Sequence, residues 1–168
     1  VTINTELAGN IRTVIDMIPN MHDQGHWFYV YETYKDKLTP EDVHVVELLA
    51  EAKDAEEKGV SYSEFEPSVS CPATLCVAGW ACIMNGYTLV EDDEKAETFA
   101  EKDGERTKVL EKGAELLGLD SDVANWLFCD TDDEMALDAL DDLSTGELPS
   151  GYVSRTSEHY CCEECDGY

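Results

Sequence analysis

Cys71-Pro72-Ala73-Thr74-Leu75-Cys76-Val77-Ala78-Gly79-Trp80-Ala81-Cys82-Ile83-Met84-Asn85-Gly86-Tyr87 is the stretch on which the reading of the fold turns. It lies inside the one long uncharged run, Pro67 to Val90, of a chain in which 29% of residues are charged. A proline just inside its start and a glycine just past its end predict a helix of about three to four turns. Leu75, Gly79, Cys82 and Ile83 follow helical spacing, and Ala78, Gly79 and Ala81 are small enough for a second helix to approach closely. The expectation is a buried central helix.

Amphipathic helices are expected around it. Leu7, Ile11, Val14, Ile15 and Ile18 repeat at three and four, which predicts a helix from Asn4 to the stop at Pro19. Thr39-Pro40-Glu41-Asp42 combines an N-cap, an N1 proline and first-turn acids, and so opens a second helix that closes near Gly59. Its apolar side is traced by Val43, Val46, Leu49 and Ala50, widened by Val45, Leu48 and Ala52. A third helix with Val109, Leu110, Ala114, Leu116 and Leu117 ends at Gly118, and Asp120 or Ser121 caps a short fourth one carrying Val123, Trp126, Leu127 and Phe128. Thr131-Asp132-Asp133-Glu134 spells a capping box before Met135, Leu137, Leu140 and Leu143.

Less regular segments lie between them. Met21 to Tyr34 is dense in aromatics and suits an irregular loop or a short strand, roofing the core or lining a ligand pocket. Tyr87 to Val90 has the residues of a short strand, whereas Glu91 to Arg106, rich in Glu, Asp and Lys, is expected to be a mobile loop or loosely held helix. The fold class expected is therefore mainly all-α: a compact bundle of about five to six helices around a buried central one, with room for one short β-hairpin. Residues 1–147 form the acidic helical domain in this reading, and 148–168 a flexible, acidic, cysteine-rich tail.

Charge narrows the function. The chain carries 38 Asp and Glu against 11 Lys and Arg, a net charge of −27. Such a surface repels nucleic acid and anionic membrane and attracts basic partners in a salt-dependent way. Between Gly113 and Ser154 there are 11 acids and no Lys or Arg. Helical geometry puts Glu134, Asp138, Asp141 and Asp142 on one outer face, with Asp130, Asp132 and Asp133 beside them. These seven residues are the candidate partner-binding surface. Ile3 to Ile18 is broken by Glu6, Asn10, Arg12 and Asp16, so it does not read as a signal peptide, and the central uncharged segment is short of the about 20 residues a membrane span needs. A soluble protein of the cytoplasm is expected, with neither nucleic acid nor membrane as a direct partner.

Seven cysteines are present, an odd count, and without a secretory signal they favour free buried thiols or a metal site over disulfides. His159, Cys162 and Cys165 form H-x2-C-x2-C, three candidate zinc ligands, with Cys71, Cys76, Cys129 or His26 as a distant fourth. Cys71, at the expected helix N-terminus, has the setting of an activated thiol with His22 or His26 as base, but no local catalytic signature accompanies it. Asp130-x-Asp132-Asp133-Glu134 lacks the turn glycine and closing glutamate of an EF-hand. No Walker loop, GxGxxG or GxSxG is present.

Three stretches in order, Asp23-Gln24-Gly25-His26-Trp27, the Cys71 to Ala81 segment, and Ala114-Glu115-Leu116-Leu117-Gly118-Leu119 followed by Leu127-Phe128, resemble a family of short proteins of actinobacteria and their bacteriophages. Members read D-Q with a following tryptophan, then C-G-T-x-x-C-x-A-G-W/H-A, then L-G-L and L-F. The chain departs from that pattern at Pro72 and Ala73, in its long Tyr34 to Cys71 insertion, and in its acidic C-terminus. The resemblance implies a phage or actinobacterial origin and a small helical domain, and brings no activity with it. The function expected is that of a non-enzymatic accessory protein that binds a host protein in the host cytoplasm, in the manner of a nucleic-acid mimic or inhibitor. The alternative is a small regulatory module holding zinc through His159, Cys162 and Cys165.

Overall fold

A computed structural model describes residues 2–30, 36–68, 73–92 and 97–153. Among these, helices and two antiparallel sheets share the structure, so the fold is mixed α/β and the mainly all-α expectation is overturned. The helices are α1 (Thr5–Met17), α2 (Pro40–Val43), α3 (Val45–Glu57), α4 (Val77–Met84), α5 (Val109–Leu117), α6 (Ser121–Asn125) and α7 (Asp133–Thr145). The strands are β1 (Phe28–Val30), β2 (Lys37–Leu38), β3 (Ala73–Leu75), β4 (Thr88–Asp92), β5 (Glu97–Lys102) and β6 (Glu105–Lys108). β1 pairs with β3, and the larger sheet runs β2-β4-β5-β6.

The central helix is real but short. Ala73 to Leu75 is strand rather than helix, paired with Phe28 to Val30, and α4 begins only after Cys76. Cys76 caps it: the thiol accepts the Gly79 N–H at 3.4 Å. Every residue from Val77 to Ile83 is buried, Trp80 at 0% exposure. Such an all-round apolar helix must be enclosed. Its small residues work in two directions. Ala78 meets α5, where a Cβ on Gly113 would lie 2.8 Å from the Ala78 Cβ, whereas Gly79 admits the Trp27 backbone carbonyl, which a Cβ there would strike.

α1 lies across the helical layer, against α7, α3, α4 and α5. Asn4 caps it by accepting the Leu7 N–H, and its buried side follows the expected Leu7, Ile11, Val14 and Ile15. The Thr39 to Asp42 capping box forms, but the helix it opens is interrupted: His44 takes a left-handed conformation (φ 52°) that separates α2 from α3. That break turns the apolar stripe. Val45, Leu48, Ala52 and Ala55 are buried, and Val46, expected inside, is 75% exposed.

The described residues between Glu91 and Arg106, a stretch expected to be a mobile loop or loosely held helix, supply most of the larger sheet. Asp103 and Gly104, both at positive φ, make the tight turn between β5 and β6. The charges pair across strands: Arg106 bridges Asp92 at 2.9 Å and Glu101 at 3.4 Å, and Lys108 pairs with Glu97. Arg106 also covers the Phe99 ring at 4.1 Å. Both Phe99 and Ala100 are buried, but only Ala100 joins the hydrophobic core.

The C-terminal half follows the expected caps with one shift. Asp120 accepts the Asp122 and Val123 N–H groups at the start of α6, which runs into a wider helical turn over Trp126–Asp130. The cap of α7 is Asp132, which accepts the Met135 N–H at 2.9 Å; Thr131 instead donates to the Leu127 carbonyl at 2.6 Å. Past Leu148 the described chain returns to the core, where Tyr152 meets Trp126 edge-on at 5.8 Å between ring centres. Among the described residues no helix is long and apolar enough to cross a membrane.

Candidate functional site

The acids named from sequence occupy α7 and the turn before it. Asp130, Asp132, Asp133, Glu134, Asp138 and Asp141 are exposed and Asp142 is half-buried. Their surroundings divide them. Asp132 caps the helix, Asp133 Oδ1 accepts the Gln24 N–H at 2.8 Å, and Asp142 Oδ2 accepts the Ser150 N–H at 2.7 Å. Asp141 pairs with Arg12 at 2.8 Å. Glu134 and Asp138 are different: their carboxylates have no hydrogen-bond or ion-pair partner among the described residues. At 1.5 Å rise per residue they stand about 6 Å apart along the axis.

A cleft of about 490 Å³ opens at the N-terminal end of α7. One wall is the segment from Asp23 to Phe28, the opposite wall is Phe128 to Asp133 without Asp130, and Glu91 and Thr98 of the sheet close a third side. The local fold fixes the first wall tightly. Gln24 is buried and bonds in three directions: Nε2 to the Leu127 carbonyl at 2.5 Å, Oε1 from the Val77 N–H at 3.2 Å, and its own N–H to Asp133. The Cys76 N–H donates to the His26 carbonyl at 3.0 Å. The Asp-Gln-Gly-His-Trp stretch is therefore held by the start of α4 behind it and by the wide turn before α7 beside it.

Titratable groups gather on this wall. Asp23 Oδ2 lies 2.9 Å from His26 Nδ1, and Asp23 Oδ1 accepts the Gly25 N–H at 2.8 Å. Burial raises the Asp23 carboxyl, but the bonds from His26 and Gly25 outweigh it and hold the group below the ordinary carboxylate value. His22 lies behind the wall with its side chain 2% exposed. Its Nδ1 is 3.0 Å from the Leu75 carbonyl, which can only accept, so Nδ1 carries the proton and Nε2 is left an acceptor facing Asp133 Oδ1 at 3.5 Å. That Nε2 has no hydrogen-bond partner. Desolvation lowers the His22 pKa against the opposing pull of Asp133 and Asp23.

The cysteines divide by burial. Cys76 is enclosed and its thiol is pushed up to about 12, the reverse of an activated nucleophile; burial also raises Cys82. Cys76 thus serves as a helix cap, and the role of distant fourth zinc ligand suggested for it requires a thiolate that its surroundings disfavour. Cys129 lines the cleft. Cys71 and the zinc candidates His159, Cys162 and Cys165 lie outside the described residues. Among the described residues no group of three or more His, Cys, Asp or Glu is placed to hold a metal ion.

Sequence reasoning named His26 and the acids separately and missed that Asp132 and Asp133 share a cleft with Asp23 and His26. The signal available was Gln24, a polar residue in an aromatic segment, whose burial ties the two halves together. No family model matches the chain, and no curated protein or solved structure is detectably similar to it.

Proposed function

We propose that the chain is a non-enzymatic accessory protein, encoded by a phage, that binds a basic protein of an actinobacterial host through the acidic face of α7, in the manner of a nucleic-acid mimic or inhibitor. One observation carries the reading: Glu134 and Asp138 project from α7 without partners among the described residues, and the exposed Asp130, Asp132 and Asp133 extend the same acidic surface at its N-terminal end. Each strand of duplex DNA offers about one charge per 3.4 Å of axis. The α7 pair, about 6 Å apart, is sparser, so the imitation is local and depends on the added acids at the helix start. Binding of this kind is steered by charge and weakens steeply with salt.

The test is affinity capture from an actinobacterial lysate with and without competing DNA, repeated with a Glu134→Gln/Asp138→Asn variant. Recovery of one basic, nucleic-acid-binding protein that DNA or moderate salt displaces, and that the variant fails to retain, supports the reading. A partner indifferent to DNA, salt and the variant overturns it.

A further inference from the structure

We infer that the cleft between Asp23–Phe28 and Phe128–Asp133 binds a guanidinium group, the head of an arginine side chain presented by the basic partner; the inference rests on the reading of the chain as a binder of basic proteins. Three features of the cleft select this chemistry. Its volume, about 490 Å³, is in the range of small-ligand sites. Its lining brings Trp27, Phe28 and Phe128 together with the carboxylates of Asp23, Glu91 and Asp133, and contains no Lys or Arg among the described lining residues. A planar, weakly hydrated cation that stacks on aromatic faces and donates in a fork to carboxylates fits such a lining better than a compact ammonium does.

The carboxylates retain capacity for the ligand. Glu91 uses none of its carboxylate oxygens in a hydrogen bond or ion pair among the described residues, and Asp133 commits only Oδ1, leaving Oδ2 without a partner there. Behind Asp133, outside the cleft lining, His22 Nε2, on a side chain 2% exposed, is a buried acceptor without a donor, 3.5 Å from Asp133 Oδ1. With a neutral acceptor 3.5 Å behind it, Asp133 receives no positive charge from His22 to offset its own, and a cation seated in the cleft would supply it. Asp23, held below its ordinary pKa by His26 and Gly25, adds charge on the facing segment. The cleft adjoins the acidic start of α7, so an arginine seated there would leave the rest of a basic segment running along Glu134 and Asp138.

The experiment titrates the isotope-labelled full chain with a glycine-arginine-glycine peptide blocked at both ends and with its citrulline counterpart, which keeps the shape and loses the charge. Expected are shifts of the Trp27 indole and of the Gly25 and Cys129 amides, affinity for the arginine peptide about tenfold or more above that for citrulline, and a loss of about three- to tenfold in Glu91→Gln. Equal response to both peptides, shifts confined to the outer face of α7, or an unaffected Glu91→Gln overturns the inference. The two readings fail separately: peptide binding in the cleft with undiminished capture by the α7 variant removes the α7 face and keeps the cleft, and the converse pattern removes the cleft alone.

Discussion

His22 Nε2 and Asp133 Oδ1 face each other at 3.5 Å as two acceptors, because the proton of the neutral ring is spent on the Leu75 carbonyl. Protonating the ring would create an ion pair with Asp133, yet burial dominates and the folded-state pKa lies below the ordinary 6.5. The unfolded chain then binds more protons than the folded one between that lowered value and 6.5. The contribution of His22 to stability is full above pH 6.5 and falls as pH drops from there toward the folded pKa. Denaturant unfolding at several pH values between 5.5 and 7.5, roughly the range in which histidine titrates, should show a steeper loss toward acid in the parent chain than in His22→Gln. Parallel curves for the two proteins would mean that the ring is not buried neutral.

Three helix glycines should answer differently to the same change. Alanine in a helix interior is ordinarily favoured over glycine by about 1 kcal/mol. At Gly113 the added Cβ would lie 2.8 Å from the Ala78 Cβ and 3.0 Å from its Cα, and at Gly79 it would strike the Trp27 carbonyl. Overpacking of that kind costs about 1–3 kcal/mol, so Gly113→Ala and Gly79→Ala are expected to lower the melting temperature despite the helix propensity. Gly9 in α1 has only the Ser144 Cβ nearby, at 3.8 Å, and Gly9→Ala should raise it. A common upward shift in all three would show that α4 and its neighbours are not in close contact.

These contacts explain which parts of the fold the sequence disclosed. Helix ends set by local chemistry were legible: Asn4, Thr39, Asp120 and Gly118 act where their residue types say they should. The strands were legible only in part: the short strand read over Tyr87 to Val90 and the short-strand option within Met21 to Tyr34 meet β4 and β1, but the others have a non-local signal. Ala73 to Leu75 reads as the start of an apolar helix until Phe28 to Val30 is placed beside it. The charges of Glu97 to Lys108 look like a solvated run in one dimension and become Glu101–Arg106 and Lys108–Glu97 pairs only in the register of the sheet. The Asp103-Gly104 turn was the overlooked local clue. The acidic face was visible as composition, but its partition into structural and unpartnered carboxylates depends on Gln24 and Arg12, which are remote from it in sequence, and on the return of the chain at Ser150.

The enclosed thiols give a direct check on the buried α4. With the Cys76 thiol pushed up to about 12 and Cys82 raised as well, both should remain unmodified by iodoacetamide in the folded protein at pH 8 and react once denaturant is added. Peptide mapping of the alkylated sites reads the result. Modification of Cys76 under native conditions at the rate of the unfolded chain would place α4 at the surface and remove the helix cap that its thiol provides.

The partition of the acids separates stability from binding. Asp132→Ala removes the α7 cap and should cost about 1 kcal/mol of stability. Glu134→Gln and Asp138→Asn touch no partner among the described residues and should change stability by no more than about 0.5 kcal/mol, with a slight gain from reduced self-repulsion in a chain of net charge −27. Under the proposed function the same two substitutions weaken capture of the basic partner, and the loss is largest at low salt, where unscreened charge matters most. Denaturant titrations and salt-resolved binding on the three variants tell the two roles apart. If Glu134→Gln and Asp138→Asn prove destabilising to the extent of Asp132→Ala, the outer face of α7 has a structural role, and the acidic surface loses its claim to be the binding site.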